Sequence, residues 1–99
     1  MGRSARLRPK RLADKLLQIR LGLGLSQNEM LTRLGFNELL YRSNVSGFEL
    51  GEREPPSPVL LQYARVAGVC VDVLLDDELS LPDKLPSKPR HNLKQVRNQ

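Results

Sequence analysis

Short apolar stretches at helical spacing, each closed by a glycine, are the feature of this sequence that most constrains its fold. Leu12, Leu16 and Ile19 recur at positions i, i+4 and i+7, and the pattern stops at Gly22. Three later stretches stop in the same way, at Gly35, Gly51 and Gly68. Spacing of this kind predicts amphipathic helices, and glycine commonly follows the last residue of a helix.

Five helices are predicted from these stretches and from the residues that begin them. The first starts near Pro9, the second opens with the capping box Ser26-Gln27-Asn28-Glu29, and the third covers about residues 40–50. The fourth begins with Ser57 as its N-cap and Pro58 in its first turn, and a short fifth helix covers about residues 71–76. In the third helix, Tyr41, Val45 and Phe48 are spaced to share one apolar face.

The core of such a chain must be built mainly from Leu and Val, because the sequence contains four aromatic residues and no Trp. That composition suits packed helices better than a β-sandwich. We therefore predict an all-α protein, a compact five-helix bundle over residues 9–81.

Positive charge is concentrated at the two ends of the chain. Residues 1–12 contain five cations and no acid, residues 82–99 contain five cations and one acid, and the middle has a net charge of −4. Residues 1–8 show no apolar periodicity and are predicted to form a flexible arm. Residues 82–99, rich in Pro and Lys, are predicted to be a disordered tail. Basic ends serve either a polyanion such as DNA or solubility alone.

Several classes of protein are excluded by what the sequence lacks. A single cysteine, Cys70, allows no internal disulfide and no thiolate-rich zinc site, and no apolar run is long enough for a membrane span. No nucleophile, base and orienting group stand together as an enzyme would require. We expect no membrane, no metal or other cofactor, no enzymatic activity, and a cytoplasmic location.

The helical region contains an ordered set of short motifs: Leu23-Gly24-Leu25-Ser26-Gln27, Leu34-Gly35, Val45-Ser46, Glu49, Gly51, Glu54-Pro55, Ala64, Ala67-Gly68-Val69 and Asp72-Val73-Leu74-Leu75. This set resembles the XRE or Cro/CI-type helix-turn-helix family of phage-repressor-like proteins. The resemblance implies a helix-turn-helix, a lambda-repressor-like DNA-binding domain, in which helix three enters the major groove of double-stranded DNA. It implies a transcriptional regulator, repressor-like, associated with the nucleoid.

The resemblance also implies a role for individual residues. Gln27 and Arg53 match positions that contact phosphate, and Arg20 with Glu49 matches a buried ion pair that joins helix one to helix three. The start of the recognition helix, where side chains reach base edges, is matched by Arg42, Ser43, Asn44 and Ser46. Each proposed DNA contact has a plainer interpretation as a solvated surface residue.

A different class of function fits the same fold. The net −4 of the helical segment and the longer connection between Gly35 and Val45 would suit a protein-interaction module, such as an antitoxin-like partner or an adaptor. The sign of the potential around Gln27, Arg42 and Arg53 discriminates the two functions. We further expect a homodimer, with exposed apolar residues near residues 71–81 as candidates for its interface.

Overall fold

The backbone of the helical region follows the caps and apolar spacing of the sequence. The computed structural model describes residues 7–87, and within them it contains five α-helices and no strand. The helices are α1 (Leu12–Gly22), α2 (Gln27–Leu34), α3 (Arg42–Leu50), α4 (Ser57–Ala67) and α5 (Val71–Leu75). The prediction of an all-α, five-helix protein is confirmed. The first helix begins three residues later than Pro9, at Leu12.

The beginning and end of α2 show how local sequence sets a helix boundary. The Ser26 hydroxyl accepts a hydrogen bond from the Glu29 N–H at 3.1 Å, and the Glu29 carboxylate accepts one from the Ser26 N–H at 2.7 Å. The bond from the Ser26 N–H to the carboxylate is the largest cause that lowers the pKa of Glu29 below its usual value. At the other end, Gly35 has φ +86°, a left-handed conformation that glycine adopts without steric cost.

One core joins all five helices. Helix α1 packs against α3, α4 and α5, while α2 packs against α3 and α4. The fully buried side chains include Leu16, Ile19, Met30, Leu34, Val45, Tyr63 and Leu74. Because every helix contributes to this core, the orientation of α3 is fixed by packing against α1 and α2.

A buried lysine ties α5 to α1. Lys15 is completely buried, and its Nζ donates hydrogen bonds to the carbonyls of Val73 at 2.7 Å and Asp76 at 2.9 Å. Burial, followed by the neighbouring Arg11, lowers the pKa of Lys15. The ammonium thus satisfies carbonyls at the end of α5, where cations are favoured.

The residues after α5 are fastened to the residues before α1. The Asp77 carboxylate accepts hydrogen bonds from the N–H groups of Lys10 and Arg11, each at about 3 Å. The Arg11 guanidinium in turn donates to the carbonyls of Asp77 and Leu79. These bonds satisfy N–H groups that have no partner within α1, which begins at Leu12.

The chain beyond Leu81 continues to contact the helices. Leu85 packs against the core, and Ser87 donates hydrogen bonds from its N–H to the Ala67 carbonyl at 2.8 Å and from its hydroxyl to the Gly68 carbonyl at 2.7 Å. The predicted disordered tail is therefore wrong for residues 82–87, because one leucine and one serine find partners on the helical domain.

The outermost parts of both termini lie outside the described residues. This applies to residues 1–6 of the predicted arm and to residues 88–99 of the predicted tail. Of the arm's last two residues, Leu7 is fully exposed, and Arg8 forms an ion pair with Glu54 at 3.6 Å.

Candidate functional site

The connection between α2 and α3 is folded back onto the core. Phe36 and Leu40 both pack against the core, and the N–H groups of Leu39 and Leu40 each donate to the Phe36 carbonyl at 2.9 Å. The longer segment that follows Gly35 thus forms an anchored turn. This turn leads into α3, and the Leu40 side chain at its end packs against the core.

The first turn of α3 and the start of α2 line an open cleft with a volume of about 900 Å³. Its lining residues are Gln27, Asn28, Tyr41, Arg42, Ser43, Ser46, Gly47 and Glu52. Four of the predicted DNA contacts are therefore brought together: one from α2 and three from α3. Arg42 and Ser43 are exposed, whereas Gln27 and Ser46 are half-buried.

A buried ion pair supports one wall of this cleft. Arg20 Nε lies 2.7 Å from Glu49 Oε2, and Arg20 Nη2 lies 2.9 Å from Glu49 Oε1, so the contact is bidentate. The Arg20 and Glu49 side chains are 15% and 5% exposed. Hydrogen bonding to Glu49 raises the pKa of Arg20. The pair links α1 to α3, and Arg20 also donates to the Leu25 carbonyl at 3.0 Å.

Gln27 belongs to the same network. Its Nε2 donates to Glu49 Oε1 at 3.1 Å, so the side chain is held in one orientation at the edge of the cleft. The ion pair therefore positions a cleft residue as well as joining two helices.

Asn44 differs from the other predicted base-contacting residues. Its Oδ1 accepts a hydrogen bond from the Tyr41 N–H at 2.8 Å, and its own N–H donates to the Tyr41 carbonyl at 2.9 Å. The side chain caps the start of α3, and Asn44 does not line the cleft. The structure thus gives this residue a structural contact of its own.

Arg53 lies beside the cleft, separated from it by Gly47. Its N–H donates to the Gly47 carbonyl at 3.2 Å, and its side-chain stem covers the glycine so closely that a Cβ there would lie 3.1 Å from Arg53 Cδ. Arg53 lines a second cleft of about 420 Å³, whose lining also includes Arg8 and Lys10. The residues predicted to contact phosphate therefore lie on two adjoining surfaces.

Tyr41 is a cleft residue that the sequence pattern misplaced. Val45 and Phe48 are buried as predicted, but Tyr41 is 77% exposed. It precedes α3 with φ −114° and ψ 164°, an extended conformation, and so does not follow helical periodicity. Successive side chains of an extended segment point in opposite directions. Because Leu40 packs against the core, its neighbour Tyr41 could have been predicted to face the solvent.

The cleft itself has nearly balanced charge. Among its lining residues are one cation, Arg42, and one acid, Glu52. The adjoining surface carries more positive than negative charge. Its cations are Arg53, Lys10 and Arg8, and its acid is Glu54, which is paired with Arg8.

No protein-family model, curated protein or solved structure matches this chain. Within residues 7–87, no helix has both the length and the apolar character to cross a membrane. The same residues contain no group of three or more His, Cys, Asp or Glu side chains arranged to hold a metal ion.

Proposed function

We propose that this protein binds double-stranded DNA sequence-specifically, as a repressor-like transcriptional regulator of the Cro/CI helix-turn-helix type and not as an enzyme. The observation that carries the proposal is the cleft that unites Gln27, at the start of α2, with Arg42, Ser43 and Ser46 on the first turns of α3. A helix presented in this way fits the major groove of B-DNA.

Each side of the cleft suits a different part of the duplex. The capping box occupies the N–H groups of Ser26 and Glu29, so those of Gln27 and Asn28 are the ones that suit a phosphate. The Gln27 side chain is held beside them by Glu49. Exposed Arg42 suits bidentate pairing with a guanine, while Ser43 and Ser46 suit either donors or acceptors on base edges. Arg53 suits an adjacent phosphate and would position the protein without reading sequence.

The proposal extends to assembly and location. Val71, Leu75 and Leu79 are 37%, 41% and 37% exposed, and they are the candidates for a homodimer interface. Two copies would bind half-sites one helical turn apart and so raise the affinity of a small domain. Such a protein would act in the cytoplasm at the nucleoid. Sedimentation with and without DNA tests the dimer, and a strictly monomeric mass in both cases would refute it.

Selection of binding sites from random duplex DNA tests the proposed function, and an enriched motif is the expected result. Arg42→Ala should then relax discrimination at one base pair by ~1–3 kcal/mol, whereas Arg53→Ala should weaken binding to all sequences about equally. Arg65→Ala is the matched control, because Arg65 is an exposed arginine on α4 that lines neither cleft. No detectable binding at low salt would refute the proposal.

The basic residues before α1 are tested by salt dependence. Deleting residues 1–8 removes three cations. If these cations neutralise phosphates, the slope of log K against log salt flattens by about 0.9 for each phosphate that the shortened protein no longer neutralises. An unchanged slope would leave the arm as an aid to solubility.

A protein-interaction module, antitoxin-like or adaptor, is the second candidate. The balanced charge of the cleft, with Glu52 opposite in sign to Arg42, favours it. A protein of this kind would enrich no DNA motif in the selection. Its partner surface would be the same cleft, so Arg42→Ala would weaken the partner complex and Arg65→Ala would not.

A further inference from the structure

Tyr41 is the one aromatic side chain that the folded domain, residues 7–87, leaves exposed. The sequence has four aromatic residues. Phe48 and Tyr63 are buried, Phe36 is half-buried against the core, and Tyr41 is 77% exposed. Because it is exposed and lines the cleft, the Tyr41 ring is available to contact a molecule bound there.

The backbone that carries this ring is anchored on both sides. The Tyr41 N–H donates to Asn44 Oδ1 at 2.8 Å, and the Tyr41 carbonyl accepts from the Asn44 N–H at 2.9 Å. On the other side, Leu40 packs against the core. Tyr41 therefore projects from an anchored backbone beside Arg42 at the start of α3, within the cleft.

The chemistry of the major groove identifies what an apolar ring would meet there. Base edges in that groove present hydrogen-bond donors and acceptors, and the most prominent apolar group among them is the C5-methyl of thymine. We propose that the Tyr41 ring packs against the C5-methyl group of a thymine next to the bases contacted by Arg42. Tyr41 is then a further specificity-determining residue. This inference rests on the proposed DNA-binding function.

Replacing thymine with deoxyuridine tests the contact, because it removes only the methyl group. In the selected duplex, each thymine is replaced singly and binding is measured by titration. At one position, wild type should bind the deoxyuridine duplex about four-fold more weakly, the value expected for one buried methyl group. Tyr41→Ala should bind both duplexes equally, and Tyr41→Phe should keep the four-fold difference because it keeps the ring.

Leu39→Ala provides the matched control. Leu39 is 75% exposed, lies two residues before Tyr41 and does not line the cleft, so its loss should leave the deoxyuridine profile unchanged. Thermal melts establish that each variant is folded, which the exposure of both side chains favours. The same profile in Tyr41→Ala as in wild type would overturn the inference, as would a motif without a thymine or without a deoxyuridine effect. Failure to enrich any motif would overturn the proposed function as well, so the two failures are distinguishable.

Discussion

Removal of either partner of the Arg20–Glu49 ion pair should strongly destabilise the protein. Glu49 accepts three hydrogen bonds, two from Arg20 and one from Gln27, and its side chain is 5% exposed. Breaking a buried pair from one side costs about 3–5 kcal/mol, because the remaining charge stays buried without its partner. Small domains have a total stability of about 5–15 kcal/mol, so this loss is a large fraction of the whole.

The two single variants should differ in a way that follows from burial. Arg20→Ala leaves the more deeply buried Glu49 carboxylate with a single hydrogen bond, from the Gln27 amide. Its loss of stability should therefore lie near the upper end of that range. Glu49→Ala strands a guanidinium that is 15% exposed and still donates to the Leu25 carbonyl, so its cost should lie near the lower end. Urea unfolding followed by circular dichroism measures both, with exposed Arg33→Ala as the control.

The double variant separates the ion pair from the packing of its side chains. Arg20→Met combined with Glu49→Leu replaces the pair with apolar groups of similar size, a change that is often close to neutral. It should recover most of the stability that either alanine variant loses. Single-variant midpoints within error of wild type would refute the reasoning, and so would a double variant that loses the sum of both single effects.

Three other changes test contacts that the structure defines. The Tyr63 hydroxyl is buried, burial raises its pKa, and it has no hydrogen-bond partner among residues 7–87. Because Tyr63→Phe removes this unsatisfied group, it should raise the free energy of unfolding by about 1 kcal/mol, and a decrease would contradict this. Lys15→Met removes the hydrogen bonds to the Val73 and Asp76 carbonyls and should lower the free energy of unfolding by about 2–4 kcal/mol. Amide hydrogens in α5 should exchange faster, and unchanged exchange there would refute the contact. The N–H groups of Lys10 and Arg11 hold the pKa of Asp77 below its usual value of about 4, so its contribution to the free energy of unfolding is present above that pH and is lost as the pH falls further. Below about pH 4 the urea midpoint of Asp77→Asn should therefore fall less steeply than that of wild type. Parallel profiles of the two proteins would contradict this.

Local features of the sequence are enough to predict the helices. The capping box of Ser26 and Glu29, the glycines after α2, α3 and α4, and the apolar spacing in α1 all act within a few residues. The partner of the N–H groups at the start of α1 could not be found in this way, because Asp77 lies 66 residues away from Arg11 in the sequence. The same is true of residues 82–87, whose order depends on contacts with α4.

The candidate site is predictable from the sequence to the extent that it depends on α2 and α3 alone. Gln27, Arg42 and Ser46 come together because helical spacing places them, and the packing of two helices brings them to one cleft. The sequence pattern groups Tyr41 with the apolar face of α3 because the helical spacing is extended beyond the first residue of that helix, Arg42. Lys15 occupies a position in the apolar stripe of α1, but the carbonyls that receive its ammonium come from α5.

Gly47 is a residue whose role only the structure explains, and its replacement tests how α3 positions Arg53 on the adjoining surface. Alanine inside a helix is favoured over glycine by about 1 kcal/mol, so the sequence alone predicts that Gly47→Ala stabilises α3. The added Cβ would lie 3.1 Å from Arg53 Cδ and 3.3 Å from Arg53 Cγ, which requires the stem of an exposed side chain to move by a few tenths of an ångström.

That stem can move more easily than the backbone, so we expect the urea midpoint of Gly47→Ala to rise while the Arg53 side chain is displaced from its packing on residue 47. Affinity for all DNA sequences should then fall, as we expect for Arg53→Ala, and discrimination between bases should stay. Because both changes act on the same contact, adding Arg53→Ala to Gly47→Ala should weaken binding less than it does in wild type. Equal decreases in the two backgrounds would show that Arg53 binds DNA independently of its packing on Gly47, and an unchanged affinity of Gly47→Ala would show that this packing does not position it.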